Sequence, residues 1–153
     1  MAKVYVLWVA FTEAVGIVAG LLTREDTKIY ASSVVKPFLS PYPLIFPIVW
    51  TLLYALMGIS AAKVYASPKS SDRTKGLWLF MVQLGINFAW CFVFFRFGAY
   101  LPASVLLAVM IAAVLAMFVY FRRIDTLSAY LQIPYIVWLF FAEYLSLGVY
   151  FLN

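Results

Sequence analysis

Five long apolar runs separated by short polar breaks dominate the chain, at roughly residues 3–22, 43–65, 76–97, 101–121 and 127–152. Each is close to the ~20 residues a helix needs to cross a hydrocarbon layer. Within a bilayer the backbone has to satisfy its own hydrogen bonds, which leaves helices or closed barrels. Barrel strands alternate apolar and polar positions, whereas these runs are apolar on every side. The pattern predicts an all-α integral membrane protein: a single domain over 1–153, built as a five-helix transmembrane bundle. The breaks differ in kind. Residues 23–42 carry Arg24, Glu25, Asp26, Lys28 and Lys36, then Pro37 and Pro41. This stretch is too polar to cross and too long for a simple turn, so a long loop between helices 1 and 2 is expected, of the sort that serves as a lid. Pro43 and Pro47 suit the start of the second helix, where the first N–H groups have no partner anyway. Ser67 to Lys75 form a basic turn, Gly98 to Tyr100 a tight one, and Asp125, Thr126 and Ser128 offer N-cap chemistry to the last helix. The first run is read as a retained helix. It is long for a signal sequence, contains Glu13, and has no small-x-small site just after it.

Composition narrows the chemistry. Hydrophobic residues make up 67% of the chain and charged residues 11%, against about 25% charged in soluble domains, which excludes an ordinary soluble enzyme and a disordered chain. Cys91 is the only cysteine and there is no histidine. Disulfides, CxxC redox pairs, His- or multi-Cys zinc sites, Ser–His catalysis and His-ligated haem are therefore excluded. No metal site is expected, and nothing suggests nucleic acid as a partner.

Charge placement predicts orientation. With five crossings, Lys3, Lys63, Lys69, Arg73, Lys75, Arg122 and Arg123 share one side, and Arg24, Lys28, Lys36 and Arg96 the other. The positive-inside rule then puts the N-terminus in the cytoplasm, with the long loop and the C-terminus outside.

Three helical faces carry the candidate chemistry. Phe46, Trp50 and Tyr54 recur at i, i+4 and i+8. Gln83, Asn87, Trp90 and Phe94 share a face of the third run. Trp138, Ala142, Leu145 and Ser146 share one of the fifth, with Pro134 and Tyr135 a turn earlier. Each stripe alone suits helix packing or an interfacial aromatic belt. Together they place mid-membrane amides beside rings, and such amides are costly unless they face the bundle interior. Rings to stack on and a few orienting polar groups are what a pocket for a flat aromatic ligand needs. Glu13 and Glu143 also lie at or near apolar depth. They are read as coupling groups or as acids bonded to a neighbouring helix, with Glu143 turned about 140° from Trp138. Gly85/Ala89 and Gly16/Gly20 are small-xxx-small pairs that let helices approach closely.

The string Phe46-Pro47-x-Val49-Trp50-Thr51-x-x-Tyr54-x-x-Met57-Gly58 resembles the TspO/MBR family, the tryptophan-rich sensory and translocator (peripheral-type benzodiazepine receptor) proteins. So do Lys36-Pro37 with Pro41, Gln83-Leu84-x-x-Asn87-x-x-Trp90 with Phe94-Phe95, Pro134-Tyr135-x-x-Trp138-x-x-Phe141-Ala142-x-x-Leu145, and the chain end at Asn153. The chain departs from the family pattern at Tyr30-Ala31, where Trp-Tyr is usual, at Leu39 for an aromatic, at Tyr42 for a proline, and at Ser146 for an Asn.

The resemblance implies a bundle that binds tetrapyrroles, chiefly protoporphyrin IX, and drug-like aromatic molecules. The pocket would lie under the loop, with Lys36, Pro37 and Pro41 in its lid. Porphyrin propionates would favour Arg24, Lys28 or Lys36. A metal-free porphyrin needs no axial ligand, so no cofactor is required. Some members are reported to promote light-dependent breakdown of protoporphyrin, which would make Trp50 and Trp138 the reactive pair. The family's dimer contact through its third helix makes Gly85 and Ala89 the expected homodimer surface. Leu115-x4-Tyr120-x-Arg122 fits a bare sterol pattern, but nothing basic follows Tyr150, and sterol binding is not expected. Tetrapyrrole binding for sensing, transport or disposal in a bacterial cell membrane is the reading favoured here. A photochemical enzyme, a small transporter and a structural partner for another membrane protein are the rivals.

Overall fold

The computed structural model describes residues 1–153 and contains only helices. They are α1 (Ala2–Leu22), α2 (Arg24–Ser33), α3 (Ile45–Ala66), α4 (Ser71–Cys91), α5 (Tyr100–Ile124), α6 (Thr126–Tyr130) and α7 (Ile133–Leu152). A π-helical turn, Phe92–Arg96, extends α4 without a break. Five helical stretches are long and apolar enough to span a membrane: Ala2–Leu22, Ile45–Ala66, Ser71–Arg96, Tyr100–Ile124 and Thr126–Leu152. The five-helix expectation holds, with three local differences.

The break at 23–42 is not all loop. Its first half folds as α2, which shows no apolar stripe and is held from outside. Arg96 Nη2 donates to the Leu22 carbonyl at 2.6 Å and its Nε to Asp26 Oδ2 at 3.2 Å. The Tyr30 ring packs on Phe94 and Phe95 at 5.3 and 5.4 Å between centroids. The second difference is that α4 begins at Ser71, five residues before the apolar run at Gly76. Ser70 caps it by accepting from the Arg73 N–H at 3.1 Å, and Asp72 sits in the first turn, where the helix dipole favours an anion. The last run is the third. It is split into α6 and α7, because Pro134 near the start of α7 lacks the N–H that a continuous helix would use. Asp125 does cap α6, accepting from the Ser128 N–H at 2.7 Å and its hydroxyl at 2.9 Å. Burial pushes the Asp125 carboxyl up. The Ser128 donors and the Lys63 ammonium outweigh this and hold it below the usual carboxylate range.

The core runs along the α3–α4–α5 centre, through Met57, Ala61, Val64, Phe80, Leu107, Val114, Met117 and Phe121, with Tyr135 and Leu139 of α7. Large apolar side chains such as Val6, Ile48, Val105, Val109, Val137 and Phe140 point outward, as a lipid solvent requires. Helix α1 lies tightly on α3. Gly58 makes this possible, since a Cβ there would stand 2.6 Å from the Val9 Cα and 2.7 Å from Thr12 Oγ1. Thr12 Oγ1 in turn donates to the Tyr54 carbonyl at 2.8 Å, an interhelical bond in a dry interface. Of the small-residue pair on α1, Gly16 meets the Tyr54 ring within the monomer, whereas Gly20 has open space where a Cβ would go.

Candidate functional site

On α3, the i, i+4, i+8 spacing turns Phe46, Trp50 and Tyr54 toward α7. Phe46 and Trp138 meet edge to face at 5.9 Å, and Trp50 and Trp138 at 6.4 Å with an interplanar angle of 87°. Trp50 also packs on Tyr54 at 5.5 Å and on Tyr135 at 6.3 Å. These rings pack on one another across the seam between α3 and α7, and this closed aromatic seam is the candidate ligand cleft. A planar molecule entering between the indoles would exchange ring–ring contacts for ring–ligand contacts of similar kind.

The floor of the cleft is polar and fully buried. Tyr54 Oη donates to Asn87 Oδ1 at 2.7 Å, Asn87 Nδ2 donates to Tyr135 Oη at 3.0 Å, and Tyr135 Oη donates to Gln83 Oε1 at 2.7 Å. This chain of bonds ties α3, α4 and α7 together. The two amides, four residues apart on α4, share the interior face expected of them. Three of their four polar side-chain atoms are engaged. Gln83 Nε2 is the exception, a buried donor with no partner.

The other expected residues divide. Leu145 and Ser146 are buried on the inner side of α7, and Ala142 is half-buried against the core. Trp90 stacks on Phe94 at 4.9 Å and 21°. It lies between the main core and a smaller cluster of Phe94, Ala103 and Val149, and its indole N–H is buried without a partner. Glu143 turns away toward α5 and is hydrogen-bonded to the Ser104 hydroxyl; Glu13 sits half-buried on α1.

The segment after α2 is strapped along α7. The Val35 N–H donates to Asn153 Oδ1 at 3.0 Å, and Asn153 Nδ2 donates back to the Val35 carbonyl at 2.8 Å. Pro37 is buried against Gly148, where a Cβ would come within 2.6 Å of the proline ring. Tyr144 Oη donates to the Phe38 carbonyl. Leu39 follows at φ 71°, a left-handed turn taken without glycine. Pro41 leads from there into α3.

The strap corrects one electrostatic expectation. Lys36 does not face the site as a free cation. Its ammonium donates to the Ala31 and Val34 carbonyls at 2.8 and 3.3 Å, closing the end of α2, and lies 5.3 Å from the Tyr30 ring centroid. Burial, with Tyr100 nearby, pushes the Tyr30 phenol up to about 12, so this stacked ring stays neutral. Lys28 is paired with Glu25 at 2.8 Å and holds that carboxyl below its usual value. Of the three cations expected to meet propionates, Arg24 alone makes neither an ion pair nor a side-chain hydrogen bond.

Sequence reasoning named Tyr135 beside Trp138 without a role for its hydroxyl, the hub of the amide floor, named Asn153 only through the family resemblance, and did not nominate Tyr144 or Gly148, which help to hold the strap. Tyr135 was visible one turn before Trp138. Tyr144 and Gly148, four residues apart on α7, offered a shared face as a signal, and Asn153 none beyond the family resemblance.

The family model described as TspO/MBR family matches residues 5–152. The chain belongs to the TspO/MBR family. It is similar to the tryptophan-rich protein TspO of Chlorobaculum tepidum, at 31% identity over 141 residues, covering 92% of this chain and 89% of that one. It is 33% identical to the TspO of Archaeoglobus fulgidus over 141 residues, covering 92% and 90%. Protein CrtK of Rhodobacter capsulatus is 33% identical over 122 residues, covering 79% and 76%. The TspO/MBR match and the five apolar spans make this a multi-pass membrane protein with bacterial relatives.

Proposed function

We propose that this protein binds a tetrapyrrole, chiefly protoporphyrin IX, in the cleft between α3 and α7, and that it serves porphyrin sensing, transport or disposal. Drug-like aromatic molecules would occupy the same place. The carrying observation is the meeting of Phe46, Trp50, Tyr54, Tyr135 and Trp138 across the seam between α3 and α7. Rings supply stacking, the unpaired Gln83 donor suits a ligand acceptor, and Arg24 is the cation available for a propionate. No cofactor is needed for this. The test is a spectroscopic titration of protoporphyrin IX against purified protein in the dark. Saturable binding, weakened by Gln83→Leu or Trp138→Ala, is the expected result; a linear, non-saturating signal would remove the reading. A second reading is favoured by the direct contact of two indoles: in light, the same site degrades its bound porphyrin.

The site reading carries a topology and a dimer with it. We place the N-terminus in the cytoplasm and the strap and C-terminus outside, following the charge distribution. A tag at the C-terminus should react with an impermeant reagent on intact spheroplasts while one at the N-terminus stays protected, and the reverse pattern would invert the topology. The homodimer is assigned to α4. Gly85 has open space where a Cβ would go, and Ala89 is exposed one turn on, so this face is bare in the monomer. Gly85→Leu should cut the dimer fraction severalfold by crosslinking in native membranes, since leucine holds two backbones apart, and should leave porphyrin affinity unchanged. An undiminished dimer would move the interface off this face.

A further inference from the structure

The end of the bundle away from the strap, where α3 turns into α4 and α5 into α6, is strongly basic. Lys63, Lys69, Arg73, Lys75, Arg122 and Arg123 gather there with only Asp72 and Asp125 as acids. Lys63 is paired with Asp125 at 3.4 Å, and Arg73 lies over the Tyr65 ring at 5.1 Å. Arg123 reaches Asp72 only at 3.8 Å, with both side chains well exposed, and such a surface pair contributes little. Arg122 makes no ion pair.

With Phe118 and Val119 these two arginines line a shallow, open cleft of about 360 Å³ on the outer side of α5. Arg123 also lines an adjoining open cleft of about 530 Å³, which includes Ser67, Ser70 and Ser71. Along α5, Leu115, Val119 and Arg122 follow at i, i+4 and i+7, one stripe that is apolar and exposed toward mid-membrane and cationic at its end.

We propose that this cleft is a binding site for an anionic phospholipid, with an acyl chain along Leu115 and Val119 and the headgroup phosphate between Arg122 and Arg123. Guanidinium groups match phosphate oxygens in charge and fork geometry, and basic pockets at this depth hold anionic headgroups. A sterol hydroxyl would leave two charges uncompensated. A soluble phosphate would leave the apolar half of the cleft unused. The site is separate from the aromatic cleft and does not depend on what that cleft binds.

The test is native mass spectrometry of delipidated protein titrated with phosphatidylglycerol, with phosphatidylcholine of the same chains, and with inorganic phosphate. Wild type should retain phosphatidylglycerol at far lower concentration than phosphatidylcholine. Each basic side chain beside an anionic headgroup is worth about a factor of five in affinity, so Arg122→Gln with Arg123→Gln should weaken phosphatidylglycerol binding about twenty-five-fold. Lys69→Gln with Lys75→Gln removes the same charge at the same end but outside the cleft, and should change it little. Both arginines are exposed, and an unchanged circular dichroism melt will show that the double variant is folded. Equal retention of the two lipids, an unaffected arginine variant, or displacement of phosphatidylglycerol by an equal concentration of inorganic phosphate would each overturn the proposal.

Discussion

Trp50→Phe and Trp138→Phe will each hold protoporphyrin IX in the dark nearly as well as wild type, yet lose most of any light-driven conversion of it. Phenylalanine keeps a stacking surface at both positions, so the affinity loss should stay at about 1 kcal/mol or less, the scale of aromatic-pair effects. It lacks the electron-rich indole and its N–H donor. Those are the features by which the pair at 6.4 Å would give an electron to a photoexcited ring or intercept the oxygen species it generates. Trp78, 68% exposed on the outer face of α4, is the control, and Trp78→Phe should match wild type in both measurements. The assay is dark affinity with product yield under fixed illumination. Wild-type yield no higher than that of free porphyrin in detergent would end the photochemical reading and leave the binding one standing. Trp50 and Trp138 variants equal to wild type in both measurements would mean the ligand sits elsewhere.

The largest stability effect should come from Gly58→Ala. The new methyl would meet the Val9 Cα at 2.6 Å and its N at 2.9 Å. These are backbone atoms of a neighbouring helix, which cannot rotate aside as a side chain would. Either α1 lifts from α3, stretching the Thr12–Tyr54 bond, or both helices bend. Overpacking of this sort costs roughly 1–3 kcal/mol. Gly20→Ala, where a Cβ meets nothing, gives the comparison and should melt at or slightly above the wild-type temperature. Thermal unfolding in detergent, followed by circular dichroism, measures both. Equal melting temperatures would mean that the α1–α3 contact is looser than described.

The membrane-spanning architecture was readable because the bilayer imposes one strong rule on composition, and the runs at 3–22, 43–65, 76–97, 101–121 and 127–152 obey it. The aromatic faces were readable because helical spacing puts Phe46, Trp50 and Tyr54 in one row, and the structure brings that row against Trp138. What could not be read depends on partners remote in sequence. Helix α2 is mostly polar and is held by Arg96 and by the packing of Tyr30 on the Phe94–Phe95 rings, some seventy residues away. Lys36 looked like a free cation because nothing local reveals that it turns back on the carbonyls of α2. The hydroxyl of Tyr135 joins amides from a helix about fifty residues earlier, and the bond of Asn153 to Val35 spans 118 residues. Periodicity reports which face of a helix is buried and is silent about which neighbour it meets.

The strap and the aromatic cleft are built on different seams. Every fastening of the strap ends on α7: the paired bonds of Asn153, the seat of Pro37 on Gly148, and the bond from Tyr144. The cleft is closed by rings of α3 against rings of α7, and those two helices touch sparsely along their length. A molecule coming from the aqueous end has to undo several fastenings at once, each hydrogen bond among them worth about 1 kcal/mol. One coming sideways has to part the ring contacts between α3 and α7, whose outward residues, Ile48 and Leu52 on the first and Val137 and Phe140 on the second, are exposed on the apolar outer surface. On the proposed site, that seam is the doorway facing the bilayer. For a flat, sparingly soluble ring entering there, partition into the membrane would precede recognition, and its concentration among the acyl chains, rather than in water, would set how often the cleft is filled.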